Sequence, residues 1–180
     1  MKPAHAVYDQ ELRFGGKICV AKTDLGHDVA VWMPPGRDLP VQPLQDRHHP
    51  LVQRAHELMH GRGMIGPFRG LLFCHGHALG TFEKYGYSVY GGDGMELVLS
   101  DEYIRLAPRT LTGARAGDII VWRRSGTIVH SAKLEIVLRN NPTSETTKIS
   151  SKDTYSGFSH DWLTHYLREW GDDWRIYRHR

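Results

Sequence analysis

Hydrophobic residues near the N-terminus follow a strand-like pattern rather than a helical one. Residues 17–21 and 28–33 form two runs rich in valine and other strand-forming residues. The segment 23–26, Thr-Asp-Leu-Gly, lies between them and has the composition of a tight turn. The pattern therefore predicts a β-hairpin.

A different pattern follows the hairpin. Prolines are concentrated between positions 34 and 43, where they remove backbone donors and favour extended or turn geometry. From Pro50 to Met59 the apolar residues recur at helical spacing, and Gly61 is a suitable stop. We expect residues 1–65 to form an N-terminal elaboration made of a hairpin and a helix, and residues 66–180 to form the main unit, within one globular whole.

The stretch 69–85, RGLLFCHGHALGTFEKY, predicts a short helix with one apolar face. Gly86 follows as a C-terminal stop. Glycines then cluster between positions 86 and 94, and this cluster predicts a loop before residues 95–99.

Two further strands are predicted at 119–122 and 127–132, joined by a turn at 123–126. Because side chains alternate along a strand, His130 is expected to share a face with Ile128 and Ala132 and to point inward or into a cleft. A histidine on such a face is also compatible with a purely structural role.

The C-terminal part predicts a helix at 160–170, ended by Gly171, and a final strand at 174–177. The aromatic residues of this helix fit a core face, and sugar-stacking is the functional alternative. The basic residues at positions 175, 178 and 180 predict a solvated tail.

Composition limits the classes of function. The chain has 180 residues, 40% of them hydrophobic, which suits one domain with a sizeable core. Its formal net charge is only +3, so the charge balance does not favour a nucleic-acid partner.

The sequence also bears on compartment. The N-terminus lacks the apolar run of a signal peptide, and no stretch is long and apolar enough to cross a membrane. Only two cysteines occur, which do not make a disulfide framework. We expect a soluble protein that is cytoplasmic at synthesis, is not bound to a membrane, and reaches any site outside the cell by a non-classical route.

An apolar approach at residues 71–73 leads to Cys74, which stands in the predicted first turn of this short helix. Unpaired backbone N–H groups and the positive end of the helix dipole favour the thiolate there, and the thiolate is the form that attacks carbonyls. Cys74 is therefore a candidate nucleophile. The alternative is a small buried hydrophobic residue.

A metal site is the competing hypothesis for the same stretch. Cys74, His75 and His77 are of ligand type, but a helix start spreads them over different faces and no second ligand pair follows. His56 and His60 stand one helical turn apart without completing a metalloprotease motif. We therefore predict neither a metal nor another cofactor.

The run AGDIIVWRRSGTIVHSAKLEIV, together with the upstream cysteine, resembles the NlpC/P60 and CHAP families of papain-like cysteine hydrolases. In those families a Gly-Asp pair opens one strand and the catalytic histidine lies early on the next, which maps onto Gly117, Asp118 and His130, with Cys74 as nucleophile. The resemblance covers the chain from about residue 66 onward. It implies an α+β fold in which the nucleophile helix packs on a small antiparallel sheet. The cysteine context FCHGHALG departs from the usual Asp-Cys-Ser-Gly. This departure affects the expected substrate more than the expected mechanism.

The resemblance also implies a third group, on the strand after the histidine strand, that orients the imidazole. A turn centred near Pro142 brings residue 154 opposite His130, with Ser151, Lys152 and Asp153 in reach. Asp153 is the preferred candidate, because a carboxylate accepts the imidazole proton and stabilises imidazolium. Ser151 is the alternative.

These residues imply a thiol peptidase or amidase acting on a peptide or a peptidoglycan-like cell-wall substrate, in keeping with a bacterial effector. An acyltransferase or deamidase would use the same pair. A catalytically silent papain-like binding module is the alternative from another class. An enzyme requires an exposed Cys74, whereas a binding module tolerates a buried one.

Overall fold

The computed structural model describes residues 1–11, 15–37, 43–44, 71–152 and 158–180. This part of the chain has a mixed α+β fold with four helices and two sheets. The predicted helix at 50–59 lies outside the described residues, as does Asp153. The helices are α1 (Leu71–Leu79), α2 (Thr81–Tyr85), α3 (Gly91–Glu102) and α4 (Leu163–Trp170).

The first sheet has five strands in the order β4-β1-β2-β3-β5. They are β1 (Ala6–Glu11), β2 (Lys17–Lys22), β3 (Asp28–Met33), β4 (Pro43–Leu44) and β5 (Ser88–Val89). All neighbours are antiparallel except β1 and β4. The predicted hairpin is confirmed, since Lys17 pairs with Met33 and Lys22 with Asp28, and the Gly26 N–H donates to the Thr23 carbonyl across 3.0 Å.

The second sheet is antiparallel and has six strands in the order β10-β9-β8-β7-β11-β6. They are β6 (Tyr103–Arg105), β7 (Ile119–Arg124), β8 (Thr127–Ile136), β9 (Lys148–Ser151), β10 (Ser159–Trp162) and β11 (Trp174–His179). One face carries α1 and α3, and the other carries α4. The predicted pairing of β7 with β8 is confirmed.

The N-terminal strands and the downstream chain share one hydrophobic core. Val7, Cys19 and Val31 of the first sheet lie in the same cluster as Val98 of α3 and Val121 of β7. Strand β5, which closes the first sheet, belongs to the downstream segment. The N-terminal hairpin is thus packed into the fold and not appended to it.

The predicted single helix around Cys74 is two helices. Gly80 separates α1 from α2 with φ of 72°, a left-handed conformation that interrupts the helical hydrogen bonding. Gly86 ends α2 as predicted, with φ of 75° and its N–H bonded to the Phe82 carbonyl at 3.0 Å.

The predicted loop at the glycine cluster is wrong, because residues 91–102 form α3. Its first turn is rich in glycine because the helix approaches neighbouring strands closely. A Cβ on Gly92 would lie 2.4 Å from the Ile128 carbonyl oxygen, and one on Gly94 would lie 2.9 Å from the Val89 side chain. The glycines therefore serve packing and not mobility.

The predicted face of His130 is only half right. The register between β7 and β8 shifts between Trp122 and Arg123, so that Trp122 pairs with His130 while Arg123 pairs with Ile128. This β-bulge leaves Val129 as an extra residue. As a result Ile128 packs in the cluster beneath α3, whereas His130 and Ala132 lie towards α4.

The β8–β9 hairpin forms, but one residue out of the predicted register. A turn centred on Pro142 would place Ser151 opposite Lys133, whereas the structure pairs Lys133 with Ser150. Because one step reverses the face, this register directs Ser150 towards α1 and Ser151 towards His130.

Two predictions for the C-terminus need correction. Residues 159–162 form β10, so the helix begins at Leu163 and not at residue 160. The final strand is confirmed and extends to His179, but its basic residues are not a solvated tail. Strand β11 lies inside the sheet between β7 and β6, and Arg178 pairs with the buried Asp118 at 2.6 Å.

Within the described segments, no helix is both long and apolar enough to cross a membrane.

Candidate functional site

Helix α1 rests on strand β5 through a close contact at Gly76. The Gly76 N–H donates to Ser88 Oγ across 2.8 Å, and a Cβ at this position would lie 2.8 Å from Ser88 Cβ. This contact fixes the turn that carries Cys74. Cys74 lies on α1, whose chain before Leu71 is outside the described residues, and its side chain is fully buried.

The residue after the cysteine forms the first half of a polar cluster. The Nδ1 atom of His75 lies 3.6 Å from Cys74 Sγ and 2.7 Å from Ser131 Oγ on β8. Burial of the ring lowers its pKa from 6.5 to about 4. His75 is therefore a neutral imidazole at neutral pH.

His130 forms the second half of the cluster. Its Nε2 lies 3.1 Å from Ser151 Oγ, and its ring stacks on Trp170 with centroids 4.3 Å apart and planes 2° from parallel. Trp122 and Tyr166 are further ring neighbours, at 5.5 and 6.0 Å. Burial, and secondarily the nearby His75, lowers the pKa of His130 to about 3.

Strand β8 thus presents a polar group to each side. Ser131 contacts His75 of α1, whereas His130 lies against α4, because neighbouring residues of a strand point to opposite faces. The two imidazoles are nevertheless close enough for one to affect the pKa of the other. We call Cys74, His75, His130, Ser131 and Ser151 the thiol–imidazole cluster.

Of the predicted site residues, the structure brings Ser151 to His130. The histidine nitrogen found at Cys74 Sγ is that of His75. The pairing of Cys74 with His130 stays a prediction, and Asp153 lies outside the described residues. The sequence indicates His75 only as a possible metal ligand, and it does not indicate Ser131 or Trp170. His75 directly follows Cys74 and Ser131 directly follows His130, and this adjacency is the signal that could have identified them. No local signal identifies Trp170.

Three of the four ring nitrogens of His75 and His77, the histidines considered above as metal ligands, contact other groups. His77 Nδ1 lies 2.8 Å from Glu83 and its Nε2 3.0 Å from Ser150 Oγ, while His75 Nδ1 contacts Ser131. These contacts fasten α1 to α2 and to the second sheet. They leave the two histidines directed to different partners, which does not suit a shared ion.

A group of metal-ligand type does come together elsewhere in the described chain. Asp24, Glu102 and His179 place ligand atoms within 4.8 Å of one another. The N-terminal ammonium of Met1 contacts the two carboxylates at 2.9 and 2.6 Å. This ammonium offsets one of the two carboxylate charges and joins both groups in an ion-pair network.

The predicted Gly-Asp opening pair has a structural function. Asp118 is 5% exposed and accepts the Arg115 backbone N–H at 2.8 Å, which closes the turn before β7. Its two oxygens also accept from Arg178, at 2.9 and 2.6 Å. Asp118 therefore joins the entry of β7 to β11 and makes these contacts outside the thiol–imidazole cluster.

Comparison of the chain with protein-family models, with curated proteins and with solved structures gives no match.

Proposed function

We propose that this protein is a cysteine-dependent amide-bond hydrolase of papain-like, NlpC/P60 or CHAP type, with Cys74 as nucleophile and His130 as base. The observation that carries the proposal is the thiol–imidazole cluster itself. Burying a thiol and two histidines in one place weakens a core, because each ionisable group loses hydration. Such clusters of groups with shifted pKa values are concentrated at functional sites.

The contacts of His130 define the roles of its two nitrogens. Nε2 lies at Ser151 Oγ, and we assign the Cys74 proton to the other ring nitrogen, Nδ1. That step requires the tautomer in which Nε2 carries hydrogen and donates to Ser151. The low pKa keeps the ring neutral at neutral pH, which is the form that accepts a proton.

The reaction then follows the general course of thiol hydrolases. Proton transfer from Cys74 to His130 gives a thiolate, which attacks the amide carbonyl, and backbone N–H groups in the first turn of α1 hold the oxyanion. The imidazolium returns its proton to the leaving amine as the C–N bond breaks. Water, deprotonated by the same ring, hydrolyses the thioester and regenerates the thiol.

The substrate class proposed is a peptide or a peptidoglycan-like cell-wall peptide, as for a bacterial effector. Transfer of the acyl group to an amine, or deamidation, would use the same two residues with a different acceptor or donor. The aromatic residues of α4 support a sugar-containing substrate less well, because Trp170 stacks on His130 and Tyr166 is buried.

A second candidate is favoured by one observation, the burial of the thiol. Cys74 is 0% exposed, and attack on a substrate requires an opening to it. A catalytically silent papain-like module that binds a partner would keep the thiol closed in this way. The two candidates differ in whether Cys74 reacts.

The deciding experiment measures turnover and thiol reactivity together. The protein is incubated with purified cell-wall sacculi and with a general acyl substrate, beside Cys74→Ala and His130→Ala. A hydrolase loses turnover by orders of magnitude in both variants. Iodoacetamide should also label Cys74 before Cys19, whose pKa burial raises to about 12, and His130→Ala should slow that labelling. Equally slow labelling of both cysteines, with no turnover, would establish the binding module instead.

A further inference from the structure

Lys152 follows directly after β9 and is almost completely buried, with 5% of its surface exposed. Its Nζ lies over three phenylalanine rings, 4.2 Å from the centroid of Phe158, 5.4 Å from Phe82 and 5.9 Å from Phe73. The negative faces of these rings attract a cation, by about 0.5–2 kcal/mol each. We call these four residues the lysine cage.

The ammonium of the cage has no anionic partner in the described chain. Lys152 makes no hydrogen bond or ion pair there, although lysines are almost never so fully buried unless they are paired. Ring faces balance the charge but give the three N–H donors no oxygen acceptor among the residues that the structure describes. Aromatic cages elsewhere receive a ligand cation, but this cage is filled by its own lysine. The ligand it can still accept is an anion.

The cage is built onto the thiol–imidazole cluster. Phe73 directly precedes Cys74, and Lys152 directly follows Ser151, the residue that contacts His130. Phe158 is 51% exposed, so one wall of the cage faces solvent. An approaching ligand could therefore reach Lys152 from outside while a neighbouring part of it lies towards Cys74.

The charges around the cage are also favourable to an anion. Arg37 places its guanidinium 5.6 Å from the Phe82 centroid, which adds a second positive charge to the same rings. Glu83 is nearby, but its carboxylate accepts from His77 Nδ1 at 2.8 Å. His77 in turn packs against Phe158, with ring centroids 5.0 Å apart.

We propose that the lysine cage is a carboxylate-binding subsite, and that it receives the free C-terminal carboxylate of a peptide substrate. The identity of the substrate rests on the proposed function, but binding of the carboxylate does not depend on turnover. The subsite would make the enzyme prefer peptides cleaved close to a free terminus over internal segments of a folded protein.

The test uses the Cys74→Ala protein, so that binding is measured without reaction. N-acetylglycine, which carries a terminal carboxylate, is titrated beside N-acetylglycinamide, which lacks it, and the ring resonances of the phenylalanines are followed by NMR. We expect saturable shifts with the acid and none with the amide. A third probe, N-acetyl-aspartic acid amide, presents only a side-chain carboxylate, and tighter binding of this probe would overturn the assignment to a chain terminus.

Two lysine variants complete the design. Lys152→Met keeps an unbranched apolar stem in the cage and should weaken binding of the acid by about tenfold or more, the loss of a charge-assisted hydrogen bond. Lys148→Met is the matched control, because Lys148 begins β9, four residues before Lys152, and its Nζ lies 4.8 Å from the Trp162 ring and outside the cage. It should leave the affinity unchanged.

Equal binding of acid and amide, or no saturation by the acid, overturns the subsite, and this comparison needs no lysine variant. Undiminished binding in folded Lys152→Met overturns it as well. Selective binding of the acid without turnover would support the carboxylate subsite and contradict the proposed hydrolase. Turnover without selective binding would support the hydrolase and contradict the subsite.

Discussion

At the scale of single residues, the contact between Ser151 and His130 engages one of the two imidazole nitrogens, Nε2. Ser151→Ala removes the oxygen 3.1 Å from Nε2 and leaves a buried nitrogen without that partner. We expect the free energy of unfolding to fall by about 1–3 kcal/mol. If the proposed function holds, turnover should fall further than this loss explains, because the imidazole is no longer held in one tautomer.

Asp153→Asn is the comparison variant, since Asp153 was the preferred orienting residue. A large loss of turnover in Ser151→Ala with little change in Asp153→Asn would assign the orienting role to the serine. A large loss in Asp153→Asn with little change in Ser151→Ala would instead assign the orienting role to the Asp153 carboxylate. Full activity in both, with thermal stability checked, would mean that Cys74 and His130 act as a dyad.

The individual residues of the site could be named from the sequence, but their contacts could not. Cys74 in a first helical turn and His130 on a strand follow from local pattern. The bulge at Val129 does not, because it depends on how β8 lies across β7, and it changes which neighbours His130 has. The stacking partner Trp170 is forty residues away in sequence and is set by the tertiary fold alone.

At the scale of elements, the glycines at the start of α3 allow close packing, although their clustering in the sequence predicts a loop. Glycines at 91, 92 and 94 read as a loop, although they begin a helix that packs tightly on Ile128 and Val89. Propensity disfavours glycine in a helix by about 1 kcal/mol, but close packing against a backbone overrides it. The strands were predicted more accurately, because alternation and turn residues are local signals.

Gly76 offers a direct test of such a contact in α1. Gly76→Ala puts a Cβ 2.8 Å from Ser88 Cβ and 2.9 Å from Ser88 Cα, which forces α1 away from β5. We expect a loss of about 1–3 kcal/mol in the free energy of unfolding, measured by denaturant titration. In the proposed enzyme, turnover would fall as well, because the displaced helix carries Cys74.

The control for this prediction is a double variant. Ser88→Gly removes the Cβ and Oγ that the new methyl group meets, although it also removes the hydrogen bond to the Gly76 N–H. The double variant should therefore be more stable than the sum of the two single losses predicts. Additive losses would show that the contact does not limit the approach of α1 to β5.

At the scale of the whole molecule, two neutral histidines lie in the core and link stability to pH. Both rings are at most 2% exposed, and burial lowers their pKa values from 6.5 to about 4 for His75 and about 3 for His130. The unfolded chain binds protons at these positions below pH 6.5, whereas the folded chain does not until about pH 4. The contribution of the two neutral histidines to the free energy of unfolding is therefore fully present above pH 6.5, and it is lost progressively as the pH falls from 6.5 towards 4.

We expect the free energy of unfolding to be lower at pH 5 than at pH 7 by about 4 kcal/mol, at about 1.4 kcal/mol per unit for each ring once the pH is below 6.5. Urea titrations across this range measure it. Carboxyl groups with lowered pKa values, such as those of Asp24 and Asp101, contribute only at lower pH, because their ordinary pKa is 3.8. Their contribution therefore separates from that of the histidines.

Variants identify which residues cause the free energy of unfolding to change with pH. His75→Gln and His130→Gln should each remove about half of the dependence between pH 5 and 7, even if they lower stability at every pH. A stability that stays flat from pH 7 to pH 5 would contradict the burial of both rings as neutral groups, and with it the neutral His130 that the proposed proton transfer from Cys74 requires.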